Sequence, residues 1–136
     1  MNPLRVLIAQ DNEDHLFLAT HALKNVPGVL MQVIPAHDGE EALDYLYARG
    51  SHADRVLPNL VLLDLSMPRK GGLDVLREIK GDTDLRHIPV VILTSSDRPA
   101  DIAAAYGLGA NCYVQKSRGM AGLTEFWTST ASLPLN

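Results

Sequence analysis

Short apolar runs alternate with amphipathic stretches along most of the chain. Five apolar runs of strand type lie at positions 4–9, 30–35, 60–64, 89–94 and 111–115, and the run that leads to Asp64 is continuously apolar, as in a strand buried on both faces. Between them, apolar residues recur at helical spacing, which predicts helices that end before Pro27, near Gly50, at Gly81 and, from a Pro99 start, at Gly107. A weaker fifth helix is predicted from position 120 to about position 130. Strict alternation of strands and helices predicts an α/β fold with a parallel sheet.

Five such units in 136 residues suit one domain rather than two. They favour a flavodoxin-like, doubly wound, five-stranded parallel sheet of order 2-1-3-4-5 with about five helices. We therefore expect a single domain over residues 1–136, in which residues 118–136 form an atypically short last helix and an apolar tail. Ligands of such sheets bind at the carboxyl ends of the strands, near the switch point between strands 1 and 3.

Polar side chains stand at the carboxyl ends of four predicted strands: Gln10 and Asp11 after strand 1, Asp64 at strand 3, Thr94 at strand 4 and Lys116 after strand 5. These ends meet at one edge of the sheet, so we expect the side chains to converge. Two carboxylates suit Mg²⁺, and a carboxylate can also attack phosphorus. A hydroxyl and an ammonium can stabilise phosphoryl oxygens. The pattern predicts phosphoryl transfer to Asp64.

Each of these side chains also has a structural interpretation. Asp11 and Asp64 are typical helix N-caps, because an Asp side chain accepts hydrogen bonds from the first turn. Thr94 is a common strand residue, and Lys116 is a common surface charge. Taken singly, each residue favours the structural role. Their joint occurrence at one edge favours the phosphoryl site.

The amino-acid composition limits the binding partners and the cellular compartment that are expected for this protein. The chain has 12 Lys and Arg against 16 Asp and Glu, a net charge of −4, and so no basic footprint for nucleic acid. Cys112 is the single cysteine and can form no internal disulfide, so an inert thiol in a reducing compartment is expected. No apolar run approaches the length of a membrane span. We expect a cytoplasmic protein that binds neither nucleic acid nor membranes.

The order and spacing of the motifs resemble those of response-regulator receiver domains up to residue 116. The matching motifs are the Asp11-Asn12 turn, the run Asp38-Gly39-Glu40-Glu41-Ala42-Leu43, the pattern Asp64-x-x-Met67-Pro68-x-x-x-Gly72, the run Pro89-Val90-Val91-Ile92-Leu93-Thr94, and Lys116. The resemblance implies that Asp64 accepts phosphate from a sensor histidine kinase. It also implies that Asp11, Asp64 and the backbone carbonyl of Ser66 bind Mg²⁺.

The same resemblance assigns the remaining site residues. Thr94 and Lys116 would bind the phosphoryl group, and Thr94 with Tyr113 would form the switch. Ser66 and Ser96 stand two residues after the acceptor and after Thr94, where members of the family tune hydrolysis of the acyl phosphate. Because both are small and uncharged, we expect them neither to block water strongly nor to activate it.

Three further segments look like the single-domain response regulators paired with bacterial phytochromes: residues 10–14, residues 108–114, and Phe126-Trp127 with Leu133-Pro134. The chain departs from the receiver pattern in three places. Gln10 stands where receivers place an acid, which is expected to lower Mg²⁺ affinity and preserve the site. Ser117 replaces a proline, and the segment between Lys116 and Phe126 is short, which suggests a truncated or displaced fifth helix.

The leading hypothesis is a switch that assists its own phosphorylation and dephosphorylation and is not otherwise an enzyme. Its expected partners are a sensor histidine kinase, with a bacteriophytochrome as one candidate, and an unknown downstream protein. A homodimer is expected through the face of helix 4, strand 5 and helix 5, or through the C-terminal tail. One alternative is a non-phosphorylated pseudo-receiver, supported by Gln10. The other is an aspartate-nucleophile phosphohydrolase, which Ser66 disfavours because such enzymes carry a second acid there.

Overall fold

The structure, a computed structural model, describes residues 3–50 and 53–115. In chain order its elements are β1 (Leu4–Ala9), α1 (Glu13–Lys24), β2 (Met31–Ala36), α2 (Gly39–Leu46), β3 (Leu60–Leu63), α3 (Gly72–Gly81), β4 (Val90–Thr94), α4 (Pro99–Gly107) and β5 (Cys112–Gln115). All strands pair in parallel in the order β2-β1-β3-β4-β5. The predicted flavodoxin-like fold is confirmed. The fifth helix and the tail of residues 118–136 lie outside the described residues.

Alternation along β3 shows how the sheet is covered on both faces. Leu60 and Leu62 belong to one apolar layer, which includes the inner side of α1. Val61 and Leu63 belong to the other layer, which includes the inner sides of α2 and α3. Successive strand residues point to opposite faces, so a strand buried on both sides must be apolar at every position. That is why β3 is a continuous apolar run in the sequence.

Several element boundaries differ from the sequence prediction. Strands β3, β4 and β5 are each one residue shorter than predicted. Helix α2 ends at Leu46 instead of near Gly50, because Ala48 adopts a left-handed conformation with φ of 58°. Strand β2 begins at Met31 and ends at Ala36, one residue later than predicted at each end. Pro99 stands at the start of α4, as predicted. Within the described residues, no helix has the length and apolar content to cross a membrane.

Candidate phosphoacceptor site

Asp64 follows β3 at the carboxyl edge of the sheet, and only 8% of its surface is exposed. Its backbone N–H donates to the carbonyl of Ala9 at 3.1 Å, so the contact with β1 continues one residue beyond the strand. Its carboxylate Oδ1 accepts a hydrogen bond from the backbone N–H of Ser66 at 3.1 Å. A buried carboxylate needs such donors, because desolvation of the charge is otherwise costly. Asp64 is therefore a buried and oriented carboxylate where an α/β sheet binds its ligand.

Gln10 lies beside Asp64 and is its direct hydrogen-bond partner. The register pairs Ala9 with Leu63, so the residues that follow the two strands stand side by side. Gln10 Nε2 donates to Asp64 Oδ2 at 2.8 Å, and Gln10 Oε1 accepts from the backbone N–H of Asn12 at 3.1 Å. The sequence marked Gln10 only as a missing acid. The structure shows a buried amide, 3% exposed, bonded to the candidate acceptor.

Thr94 and Tyr113 meet at the turn that follows β4. Thr94 ends β4 and is 2% exposed, and its Oγ1 accepts from the backbone N–H of Ser96 at 3.4 Å. The half-buried Tyr113 of β5 donates its hydroxyl to the carbonyl of Ser96 at 3.0 Å. Burial raises the pKa of Tyr113, so its phenol remains protonated as a donor near neutral pH. One short turn therefore connects the two predicted switch residues.

The hydroxyl of Ser96 is bonded within the first turn of α4. Ser96 Oγ donates to Asp101 Oδ2 at 2.5 Å. Arg98 also contacts the Asp101 carboxylate, with nitrogen–oxygen distances of 3.1 and 3.2 Å. The Arg98 guanidinium, together with the Ser96 hydroxyl, lowers the pKa of Asp101. The predicted tuning position is thus tied to the start of α4.

Two glycines allow helices α2 and α3 to approach the loop that follows Asp64. A Cβ at Gly72 would lie 2.2 Å from the carbonyl oxygen of Asp64, and a Cβ at Gly39 would lie 2.1 Å from that of Lys70. Real side chains do not tolerate such distances. The glycines of both sequence motifs are therefore required by close backbone approach.

A charged contact outside the predicted site holds the same loop. Asp38 caps α2 by accepting from the backbone N–H of Glu41 at 2.7 Å, and it also accepts from Arg69 Nη2 at 2.5 Å. Burial acts to raise the pKa of Asp38, but these two donors outweigh it and hold the pKa below its usual range. Arg69 has a φ of 66°, an uncommon conformation for a residue with a side chain. No local pattern in the sequence indicated Arg69.

The donor set of this edge fits Mg²⁺ chemically. Asp64 and the Ser66 carbonyl belong to the loop after β3, and the exposed Asp11 lies in the turn after β1. Carboxylate and carbonyl oxygens are the ligands that Mg²⁺ prefers, with several waters retained. Within residues 3–50 and 53–115, no cluster of three or more Asp, Glu, His or Cys could hold a metal. Two carboxylates and one carbonyl suit a cation that keeps much of its water. Lys116 lies outside the described residues.

Sheet order, a buried acidic residue after β3 and a threonine at the end of β4 together define a receiver-type site. The sequence pattern of the family described as response regulator receiver domain matches residues 6–127. The chain belongs to this family. It is 37% identical to response regulator Rcp1 of Synechocystis sp. (strain ATCC 27184 / PCC 6803 / Kazusa), over 97% of this chain and 94% of Rcp1.

Solved structures of similar regulators have the same fold. The phosphorylated cyanobacterial phytochrome response regulator RcpA superimposes with a TM-score of 0.87 at 40% identity, over 98% of this chain and 99% of RcpA. The Mn²⁺-bound form of Rcp1 gives 0.84 at 36% identity, over 98% and 96%. The bacteriophytochrome response regulator AtBRR gives 0.82 at 38% identity, over 100% and 96%. The predicted similarity to the response regulators of phytochrome systems is confirmed.

Proposed function

We propose that this chain is a response regulator whose Asp64 accepts a phosphoryl group from a sensor histidine kinase. The observation that carries the proposal is a buried, oriented carboxylate at the carboxyl edge of the sheet, next to the strand that ends in Thr94. The similarity of the chain to the phosphorylated RcpA supports the same chemistry. A bacteriophytochrome-type kinase is the candidate donor, because RcpA is described as a phytochrome response regulator and AtBRR as a bacteriophytochrome response regulator.

The proposed transfer is a displacement at phosphorus. One carboxylate oxygen of Asp64 attacks the phosphorus of a kinase phosphohistidine. The P–N bond breaks, the imidazole retains the electron pair, and an acyl phosphate forms on Asp64. The Thr94 hydroxyl would donate to one phosphoryl oxygen, and the Lys116 ammonium would neutralise another.

The oxygen donors of this edge would hold a divalent cation during the transfer. Asp11, Asp64 and the backbone carbonyl of Ser66 would be its protein ligands. When bound, Mg²⁺ would reduce the electrostatic repulsion between the anionic carboxylate and the phosphoryl oxygens. The Mn²⁺-bound form of Rcp1 supports a divalent cation in this role.

The output would be a population shift through the turn after β4. A phosphoryl group that draws the Thr94 hydroxyl towards Asp64 weakens its contact with the N–H of Ser96. The carbonyl of Ser96 accepts from the Tyr113 hydroxyl, and the hydroxyl of Ser96 donates to Asp101 in α4. The phosphoryl group would therefore bias the surface of α4 and β5, where a downstream protein or a second copy of the chain would bind.

Uptake of labelled phosphate from acetyl phosphate with Mg²⁺ tests this proposal. We expect wild type and Asp74→Asn to take up label, because Asp74 is an exposed carboxylate on α3. Asp64→Asn should take up none. Label retained by Asp64→Asn would contradict the assignment of the acceptor.

The same assay separates the alternative functions. A wild-type protein that takes up no label would favour the pseudo-receiver, to which the Gln10 amide at the Asp64 carboxylate lends support. Sustained turnover of a generic phosphatase substrate would favour the phosphohydrolase. Against that enzyme, Ser66 stands two residues after Asp64 and carries no acid.

A further inference from the structure

We infer that Gln10 is a positioning residue that competes with a divalent cation for the Asp64 carboxylate. Its amide holds the acceptor oriented in the absence of metal and weakens Mg²⁺ binding relative to a chain with no donor there. This role rests on the proposed function, because the carboxylate that Gln10 holds is the proposed phosphoacceptor. The contact joins two buried side chains, so water competes with it little.

The orientation of the amide follows from its surroundings. The backbone N–H of Asn12 can only donate, so it requires the oxygen of the Gln10 amide, 3.1 Å away. The NH₂ group is then left for the Asp64 carboxylate, which can only accept when ionised. In a flipped amide, the NH₂ group would face the N–H of Asn12, donor against donor. The amide oxygen would face the carboxylate of Asp64, acceptor against acceptor. Both contacts would become repulsive, so the amide cannot readily turn its oxygen towards a cation.

A cation that approaches Asp64 Oδ2 from the side occupied by the Gln10 amide must displace this hydrogen bond. Hydrogen bonds to charged groups are among the stronger ones in proteins, and a buried pair is little screened. Breaking one should weaken cation binding by roughly tenfold, which corresponds to the lower end of the range for such bonds. In exchange, the carboxylate is ordered before metal arrives, because Ser66 and Gln10 each donate to one of its oxygens.

The charge of the side chain at position 10 has a separate effect. A glutamate there would bring a second carboxylate within hydrogen-bond distance of Asp64, where like charges repel. A bound cation would relieve that repulsion and so would be favoured. Gln10 replaces the repulsion by an attraction, which stabilises the metal-free protein.

Three variants of the full chain separate competition by the amide from absence of an acid. Gln10→Met has similar length but no donor and no strong metal ligand, so it removes the hydrogen bond to Asp64 without adding an acid. Gln10→Glu removes the competition and adds an acid. Gln32→Glu is the matched control, because it makes the same charge change at an exposed position on β2.

Calorimetric titration with Mg²⁺ measures the predicted order. Gln10→Met should bind Mg²⁺ about tenfold more tightly than wild type, and Gln10→Glu more tightly still. Gln32→Glu should match wild type. In EDTA, both Gln10 variants should have a lower Tm than wild type, and saturating Mg²⁺ should raise their Tm by more than it raises that of wild type. The Tm also verifies that each variant is folded.

The outcomes distinguish this inference from the proposed function. If folded Gln10→Met binds Mg²⁺ no more tightly than wild type, the amide is not a competitor and the inference is wrong. Asp64-dependent uptake of label would in that case leave the proposed function standing. If wild type and all variants bind no Mg²⁺ and take up no label, both proposals fail.

Discussion

Replacement of Gly72 by alanine should separate the acceptor strand from helix α3. Gly72 is the first residue of α3, and its Cα lies against the backbone at the end of β3. An added Cβ would be 2.2 Å from the carbonyl oxygen of Asp64 and 3.0 Å from the Cα of Leu65. Both neighbours are backbone atoms, so no flexible side chain can turn aside.

The size of the effect follows from the displacement that is needed. Ordinary contacts with a Cβ begin at 3.4 Å, so the helix start and the strand end must separate by about 1 Å. Overpacking of a well-packed interior costs about 1–3 kcal/mol, and movement of two backbone segments belongs at the upper end. We expect the free energy of unfolding to fall by about 3 kcal/mol.

The last residue of the same helix supplies the control. A Cβ at Gly81 meets nothing within 4 Å, and its φ lies outside the left-handed region. Gly81→Ala should therefore leave stability unchanged or raise it by up to about 1 kcal/mol, because alanine restricts the unfolded chain. Urea unfolding followed by circular dichroism gives both values.

Label uptake from acetyl phosphate adds a functional measurement on the folded fraction. Because the shift moves the backbone of the acceptor itself, Gly72→Ala should also slow the phosphorylation of Asp64. Gly81→Ala should keep the wild-type rate. A Gly72→Ala protein with wild-type stability and rate would refute the close approach as the reason for this glycine.

Three further predictions concern the neighbourhood of the site. The pKa of Asp38 is lower in the folded protein than in the unfolded chain, where it is about 4. The ionised carboxylate therefore stabilises the fold above about pH 4, and this stabilisation is lost as the pH falls through the folded pKa. Asp38→Asn should accordingly lower the free energy of unfolding by about 1 kcal/mol at pH 7 and by less at pH 3. Urea unfolding at both pH values measures this, and an equal loss at pH 3 would contradict it. Tyr113→Phe should lower the unfolding free energy by about 1 kcal/mol, since its hydroxyl bond to Ser96 is lost, and an unchanged value would exclude that bond. Ser96→Ala should leave the half-life of the acyl phosphate unchanged, whereas Ser96→Glu should alter it by adding a carboxylate beside Asp101, and a Ser96→Glu half-life equal to that of wild type would overturn the expectation.

The loop after Asp64 receives support from both neighbouring helices. Gly72 brings α3 against it, and Gly39 brings α2 against the carbonyl of Lys70. Arg69 in the same loop bonds the N-cap of α2, Asp38. Two of the motifs on which the family resemblance rests, the run that begins at Asp38 and the pattern from Asp64 to Gly72, therefore share one physical task. They hold the backbone that follows the candidate acceptor.

Much of the fold could be predicted from local patterns. A strand covered on both faces requires apolar residues at every position, so β3 and β4 were evident as continuous runs. Parallel alternation limited the topology to few strand orders, and it placed Asp64 and Thr94 at one edge. The end of α2 was less predictable, because the left-handed residue that ends it is Ala48 rather than a glycine.

The sequence by itself determined the strands, their order and the identity of the candidate acceptor, because those depend on local apolar patterns and on motif spacing. Only the tertiary structure decided which side chains touch. Gln10 and Asp64 are 54 positions apart, and Asp38 and Arg69 are 31 apart. Such pairs form because strand register and helix approach bring distant residues within bonding distance. No local pattern records that proximity, so only the tertiary structure shows that Gln10, apparently a missing acid, is a hydrogen-bond partner of the candidate acceptor.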